Sequence, residues 1–235
     1  QFDHMAATGA LTIETIECAA AMVAQMHASA PPREGGELAA ALATLRQTCA
    51  QGARRSSASV AWQSRIDELE AAYARLAPAI EARRLAGRVR RVHGDLHLRN
   101  LCIFQGAVTP FDAITFDEAL ASCDVLYDLA FLLMDLRHVG LPTHANAALN
   151  RYWDESGEDE AALGLMPFFM SLRACVRMAV ALEAGDVMEA DAYARLSGTL
   201  LASAMSKPMV ALGGLSGSGK SALAKELAPS LPGPA

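Results

Sequence analysis

A polar stretch in the middle of the chain, RVHGDLHLRN over residues 91–100, concentrates side chains that could act on a phosphate and a hydroxyl group. From His93 to Asn100 it reads H-G-D-L-H-L-R-N. This spacing matches the catalytic-loop pattern H-R-D-L-x-x-x-N at every specified position except the second, where Gly replaces Arg. In that pattern the Asp accepts the proton of the acceptor hydroxyl and the Asn binds magnesium. The stretch therefore predicts phosphoryl transfer, with Asp95 as the base and Asn100 as a metal ligand.

A second magnesium ligand is expected shortly after this loop. The segments LCIF and AVTPFDAITF predict two strands joined by a tight turn at Gln105-Gly106. Such a hairpin would return Asp112 to the loop, at a position that corresponds to the aspartate of the kinase D-F-G element, although Ala-Ile follow it here. Magnesium prefers hard oxygen ligands, which a carboxylate and a carboxamide supply.

The neighbouring polar residues are expected to have different roles. His93 is interpreted as a structural anchor of the loop rather than as an acid or base. His97 and Arg99 could contact substrate or phosphate, or could be solvated loop residues. Asp128 begins an apolar helix in DVLYDLAFLL and is expected to bond the backbone of the loop.

A second phosphate motif lies near the end of the chain. GLSGSGKS over residues 214–221 fits G-x-x-x-x-G-K-[ST], in which backbone N–H groups and a helix N-terminus bind phosphate oxygens. Lys220 would reach the outer phosphates, and Ser221 would bind magnesium. The alternative is a flexible Gly/Ser linker. The predicted phosphate-binding residues are Gly214, Ser216, Gly217, Ser218, Gly219, Lys220 and Ser221.

Helices must position most of these residues, because apolar residues recur at helical spacing through most of the chain. A short strand is expected at residues 88–94 before the loop, followed by the hairpin. A further apolar strand, MVALGG, precedes the second motif. The fold class predicted is α+β, mainly helical: a catalytic lobe with a small β-hairpin, then an incomplete P-loop βα unit. The predicted helices span residues 11–27, 37–49, 61–85, 124–138, 143–155, 160–184, 187–205 and 220–228.

The stretches VHGDLHLRN, FDAITFDEAL and DVLYDLAFLLMDL together resemble the aminoglycoside phosphotransferase family, which includes choline-kinase-like small-molecule kinases with a protein-kinase-like fold. The resemblance covers about residues 1–205. It implies an ATP- and Mg²⁺-dependent transferase whose partners are a nucleotide and a small-molecule hydroxyl acceptor. It also assigns catalysis to Asp95 and magnesium binding to Asn100 and Asp112. Leu98-Arg99 depart from the small or proline residues usual in the family, so the acceptor is not implied.

Two domains are expected: residues 1–206 as the catalytic lobe without its strand-rich partner lobe, and residues 207–235 as the start of a P-loop NTPase domain. No lysine precedes Lys207, and the chain begins with Gln. We therefore expect a fragment of a longer bacterial two-domain protein, inactive as a transferase in this form. The alternative is a non-catalytic ATP-binding or regulatory module with a degenerate kinase-like lobe.

The overall composition favours a soluble cytoplasmic protein. A formal net charge of -6 argues against nucleic acid or an anionic membrane as the main partner. No apolar run has the length of a membrane span. The 5 cysteines include no CxxC pair, which favours buried thiols in a reducing compartment over disulfides or a zinc site.

Overall fold

The computed structural model describes residues 1–35, 38–53, 59–203 and 212–227, and the described chain is mainly helical. The helices are α1 Phe2–Ala7, α2 Ile13–Ser29, α3 Leu38–Ala53, α4 Ser59–Leu85, α5 Glu118–Ala121, α6 Val125–His138, α7 Pro142–Ser156, α8 Met166–Glu183, α9 Val187–Ser203 and α10 Lys220–Leu227. The strands are β1 Val89–Arg91, β2 Leu101–Phe104, β3 Ala107–Pro110 and β4 Ser122–Asp124, and 3₁₀ turns occur at Leu98–Asn100 and Glu160–Leu165. The predicted mainly helical α+β architecture is confirmed for these residues.

The predicted hairpin is present as β2 and β3, which pair antiparallel from Leu101 opposite Pro110 to Phe104 opposite Ala107. The second strand is shorter than predicted and ends at Pro110, before Asp112. Its two turn residues, Gln105 and Gly106, have φ angles of 51° and 79°. Positive φ at both positions is the type I′ geometry that two-residue hairpins favour. The local turn chemistry thus sets the register that returns the chain toward residues 93–100, the predicted catalytic loop.

The strand before the loop has a partner that the sequence pattern did not predict. β1 pairs antiparallel with β4, with Val89 opposite Asp124. β4 is only three residues long, too short to show the alternation by which strands are recognised in a sequence. Asp124 ends this strand and caps α6, because its carboxylate accepts the N–H of Leu126 at 2.8 Å. The same carboxylate binds Arg83 through two hydrogen bonds of 2.7 and 2.8 Å, which ties α4 to the start of α6.

Helices α6 and α8 form the centre of the core, and α8 packs against both α6 and α9. The expectation that no apolar run has the length of a membrane span is wrong for one stretch: Glu160–Glu183 is long and apolar enough by composition to cross a membrane. However, 78% of its apolar window is buried inside the fold. It therefore has the burial of a core helix in a globular domain.

The predicted strand MVALGG is only partly covered by the structure. Its residues 209–211 and the predicted domain boundary at 206/207 lie outside the described residues, and residues 212–214 are irregular. The helix predicted to start at Lys220 is confirmed as α10.

Candidate active site

Asp128 binds the backbone of the predicted catalytic loop, residues 93–100, from the buried side. It lies in the first turn of α6 and is fully buried. Its Oδ1 accepts the N–H of Gly94 at 2.8 Å, and its Oδ2 accepts the N–H of His93 at 3.3 Å. The expectation that Asp128 bonds the loop backbone is confirmed. These two bonds fix the peptide units immediately before Asp95.

The side chain of Asp128 is itself held in place by two residues that are distant from it in the sequence. His27, near the end of α2, lies with Nε2 3.1 Å from Asp128 Oδ2 and Nδ1 2.9 Å from the Tyr152 hydroxyl. All three side chains are buried. Burial raises the pKa of Tyr152, so its hydroxyl keeps its proton and can donate to Nδ1 while Nε2–H donates to Asp128.

The buried hydrogen bonds that link Tyr152, His27 and Asp128 also help to keep Asp128 ionised. Burial by itself would raise the pKa of Asp128, but the hydrogen bond from His27 and the positive charge of Arg173 outweigh it and lower the pKa. Sequence reasoning missed His27. The available signal was its place on the same helical face as Ile16 and Val23, where a polar residue is unusual.

The structure brings Asp95 and Asn100 into direct contact. The Asn100 amide nitrogen donates to the Asp95 carbonyl oxygen and to Asp95 Oδ2, both at 3.0 Å. Asn100 is almost fully buried, whereas 39% of the Asp95 side chain is exposed and can reach a substrate. Because the amide nitrogen faces Asp95, Oδ1 is the Asn100 atom left to bind a cation.

The carboxylate of Asp95 is stabilised in its charged form. Burial would raise its pKa, but the hydrogen bond from His97 and the charge of Arg173 lower the pKa below its ordinary value. His97 Nε2 lies 3.3 Å from Asp95 Oδ2, and the His97 ring packs edge-on against Phe131 at 5.2 Å. His97 is therefore a packed residue rather than a solvated one, while its contact with substrate or phosphate stays a prediction.

The segment carrying Asp112 runs beside the loop. The N–H of Phe111 donates to the Asn100 carbonyl at 3.0 Å, and the N–H of Ile114 donates to the His93 carbonyl at 3.0 Å. The His93 ring donates to the Phe111 carbonyl at 2.9 Å, which supports its role as a loop anchor. Asp112 itself has a φ of 60°, a left-handed conformation that non-glycine residues adopt at a cost and that clusters at functional sites.

The donor set fits magnesium in chemical type. Asn100 offers an amide oxygen and Asp112 an exposed carboxylate, both hard oxygen ligands. Among the described residues, no three His, Cys, Asp or Glu side chains form a group that could hold a metal ion. The predicted ligands are one carboxylate, on Asp112, and one amide, on Asn100, which together would not count as such a group. Their role in metal binding therefore stays a prediction.

In the second phosphate motif, two glycines adopt backbone conformations with positive φ that other residues rarely adopt. Gly217 and Gly219 have φ angles of 78° and 80°, and a Cβ on Gly214 would lie 2.9 Å from the Ser218 hydroxyl. The Lys220 ammonium group donates to the Leu215 carbonyl. Residues 213–219 are exposed and lead directly into α10. Phosphate binding by this loop stays a prediction.

This mainly helical fold, with its hairpin and the loop bonded to the buried Asp128, is compatible with a kinase-like lobe. The model of the phosphotransferase enzyme family known as APH matches residues 6–163, more than half of the chain, and the chain belongs to this family. The matched region contains residues 93–100, Asp112 and Asp128, together with His27 and Tyr152, which hold Asp128 in place. No curated protein and no solved structure matches the chain.

Proposed function

We propose that this chain carries the catalytic lobe of an ATP-dependent phosphotransferase that acts on a hydroxyl group of a small molecule. Asp95 orients the hydroxyl and accepts its proton, and Asn100 and Asp112 bind the magnesium ion. When bound, Mg²⁺ neutralises charge on the phosphates. The observation that carries the proposal is the hydrogen bond of Asn100 to Asp95, which joins the predicted metal ligand to the predicted base.

Orientation is the main contribution of these residues. The transition state of phosphoryl transfer is loose, so it requires little basicity from the carboxylate that faces the acceptor. A low pKa of Asp95 suits this role, because the group stays ionised and holds the hydroxyl by accepting its hydrogen bond. Alignment of reactants can contribute roughly 7–11 kcal/mol to lowering a barrier. The buried hydrogen bonds from His93 and Gly94 to Asp128 supply the rigidity that alignment requires.

Kinases of this type also use a lysine that pairs with the nucleotide phosphates. Residues 1–206 contain no lysine. We therefore expect negligible transfer by the 235-residue chain alone. If the lobe has no catalytic activity in any form, the alternative is an ATP-binding or regulatory module.

A second nucleotide site is proposed at the C-terminal end. The residues Gly214, Ser216, Gly217, Ser218 and Gly219 would surround phosphate oxygens through their backbone, with Lys220 on the outer phosphates and Ser221 on magnesium. The exposed, glycine-rich turn ahead of α10 supports this assignment. Residues 207–235 would then begin a P-loop NTPase domain.

Release of ADP tests the proposed transferase. The measurement compares the 235-residue chain with the protein expressed from its complete reading frame, against a panel of hydroxyl compounds. Asp95→Asn should lower transfer by a factor of roughly 10²–10⁴, the usual contribution of a positioned base. Asp117→Asn is the matched control, because among the described residues this carboxylate caps α5 and Asn caps equally well.

Two results would contradict the proposal. Equal loss in Asp95→Asn and Asp117→Asn would mean that Asp95 has no special part in transfer. Transfer by the 235-residue chain alone, abolished in Asp95→Asn, would overturn the expectation that this chain needs a further lobe. ATP binding without transfer to any hydroxyl compound would favour the regulatory module.

A further inference from the structure

A buried arginine lies close to the candidate active site without a full set of partners. Arg173, on α8, is only 7% exposed. Its Nε donates to the Tyr127 carbonyl at 3.1 Å. The guanidinium carbon lies 3.8 Å from the centre of the Tyr127 ring and 4.7 Å from that of Phe131, so two aromatic faces hold the planar cation in place.

One end of this guanidinium is unsatisfied. Arg173 Nη2 is buried and has no hydrogen-bond partner among the described residues. The nearest carboxylate, Asp128, has its Oδ1 3.9 Å away, beyond hydrogen-bonding distance, and already accepts bonds from Gly94 and His93. Buried donors in folded proteins nearly always have a partner, so Nη2 retains hydrogen-bonding capacity that the described residues do not use.

Contacts connect this arginine to the predicted base. Phe131, which packs against Arg173, also contacts the His97 ring, and His97 in turn contacts Asp95. The charge of Arg173 lowers the pKa of Asp95, which is consistent with this proximity. Arg173 is therefore linked to Asp95 through two intervening side chains, Phe131 and His97.

A second arginine follows one helical turn later. Arg177 is half-buried, and positions four residues apart share a helix face. Its hydrogen bond within the described chain is a long one, from Nε to the Tyr193 hydroxyl at 3.4 Å. Burial would lower the pKa of Arg177, but Tyr193, Asp135 and Asp95 raise it.

The other charged groups nearby are already engaged. Asp135 accepts the N–H of Leu98 at 2.9 Å, and His138 binds Glu189 at 3.0 Å. Among the described residues, Arg173 and Arg177 thus have donors left for a ligand. Guanidinium groups match carboxylates and phosphates geometrically and bind them through charge-assisted hydrogen bonds.

We propose that the acceptor carries an anionic group, a carboxylate or a phosphate ester, which Arg173 and Arg177 bind while its hydroxyl lies at Asp95. This inference rests on the proposed transferase function. It makes the acceptor an anionic hydroxyl compound rather than a cationic amine. Arg173 forms the buried end of the anion site, and Arg177 its more accessible edge.

Calorimetry tests this inference without requiring turnover. The probes are gluconate and glucose 6-phosphate for the two anionic groups, with glucose and glucosamine as neutral and cationic controls. At least one anionic probe should bind more tightly than both controls. Arg177→Gln should weaken that binding by a factor of about 10–100, and Arg177→Lys should restore part of it. Arg195→Gln, which removes an exposed arginine on the neighbouring α9, should have no effect.

The outcomes separate this inference from the proposed function. Equal binding of charged and uncharged probes, or equal behaviour of Arg177→Gln and Arg195→Gln, overturns the anion site. Weaker binding of MgATP instead of the anionic probes in Arg177→Gln also overturns it.

Phosphoryl transfer to neutral or cationic compounds alone would support the transferase and contradict the anion site. Selective anion binding without transfer would leave the anion site standing without the transferase. Because Arg177 is only half-buried, its variants do not depend on repacking the Arg173 site.

Discussion

The N–H of Gly94 donates to a carboxylate oxygen of Asp128 across 2.8 Å in the interior of the protein. Gly94 precedes Asp95 in the chain, so this bond sets the backbone from which the predicted base extends. Asp128 belongs to α6, the most buried helix around the loop. The loop is therefore fixed to the core rather than to the surface, which explains how a short irregular segment can hold a defined geometry.

Asp128→Asn should destabilise the protein by about 3 kcal/mol, because it removes the buried anion that faces His27 and the Arg173 side chain. Urea denaturation at pH 7 measures the loss. Asp117→Asn serves as the reference for a partly exposed carboxylate and should stay close to the wild type, because Asn also caps helices well. Equal stability of Asp128→Asn and the wild type would show that the charge of Asp128 contributes nothing to the free energy of unfolding.

The same substitution predicts a dependence on pH. The pKa of Asp128 in the folded protein lies below its ordinary value of 3.8. Its stabilising contribution is therefore complete well above pH 3.8 and is lost as the pH falls through the folded-state pKa. The difference in unfolding free energy between wild type and Asp128→Asn should shrink as the pH falls from 7 toward 3. A constant difference over this range would contradict the assignment.

Tyr152→Phe should lower the free energy of unfolding by about 1–2 kcal/mol, because it leaves the buried Nδ1 of His27 without its donor. The ring contact with His27, at 5.7 Å between centres, can persist in the variant. Tyr73→Phe is the control, since the Tyr73 ring stacks on Phe168 and its hydroxyl has no hydrogen bond among the described residues. Equal effects of the two substitutions would contradict this role for the Tyr152 hydroxyl.

The parts of this site that sequence reasoning predicted are those with local signals. The loop spacing from His93 to Asn100 and the turn at Gln105-Gly106 each depend on residues within a few positions of one another. His27 contacts Asp128 from 101 residues away, and no local spacing encodes that pairing. Arg173 escaped notice for the same reason, since its significance comes from aromatic faces on another helix.

Gly94→Ala should be destabilising for two separable reasons. Gly94 has a φ of 81°, where a non-glycine residue costs roughly 1–2 kcal/mol. A Cβ there would also lie 2.9 Å from Ile114 Cδ1 and 3.2 Å from the Leu120 carbonyl oxygen, and the carbonyl belongs to backbone that cannot easily move. Gly140→Ala is a matched control, because Gly140 has a φ of 80° with nothing within 4 Å of the added Cβ.

Thermal and urea denaturation of both glycine variants isolate the close contact. Gly94→Ala should lose more stability than Gly140→Ala, and it should also lose phosphoryl transfer in the complete protein. Equal losses in the two variants would show that only the backbone conformation matters at Gly94 and that the segment containing Ile114 can move away.

Lys220→Ala should weaken nucleotide binding at the second phosphate site by about tenfold or more, the effect of losing a charge-assisted contact with phosphate. Titration of the 235-residue chain with MgATP measures it. Asp112→Asn should leave this binding unchanged, because Asp112 belongs to the other site. Glu226→Gln, an exposed change on the same helix α10, controls for the altered charge. A binding loss in Asp112→Asn but not in Lys220→Ala would place the nucleotide at the catalytic loop and identify the glycine-rich segment as a linker.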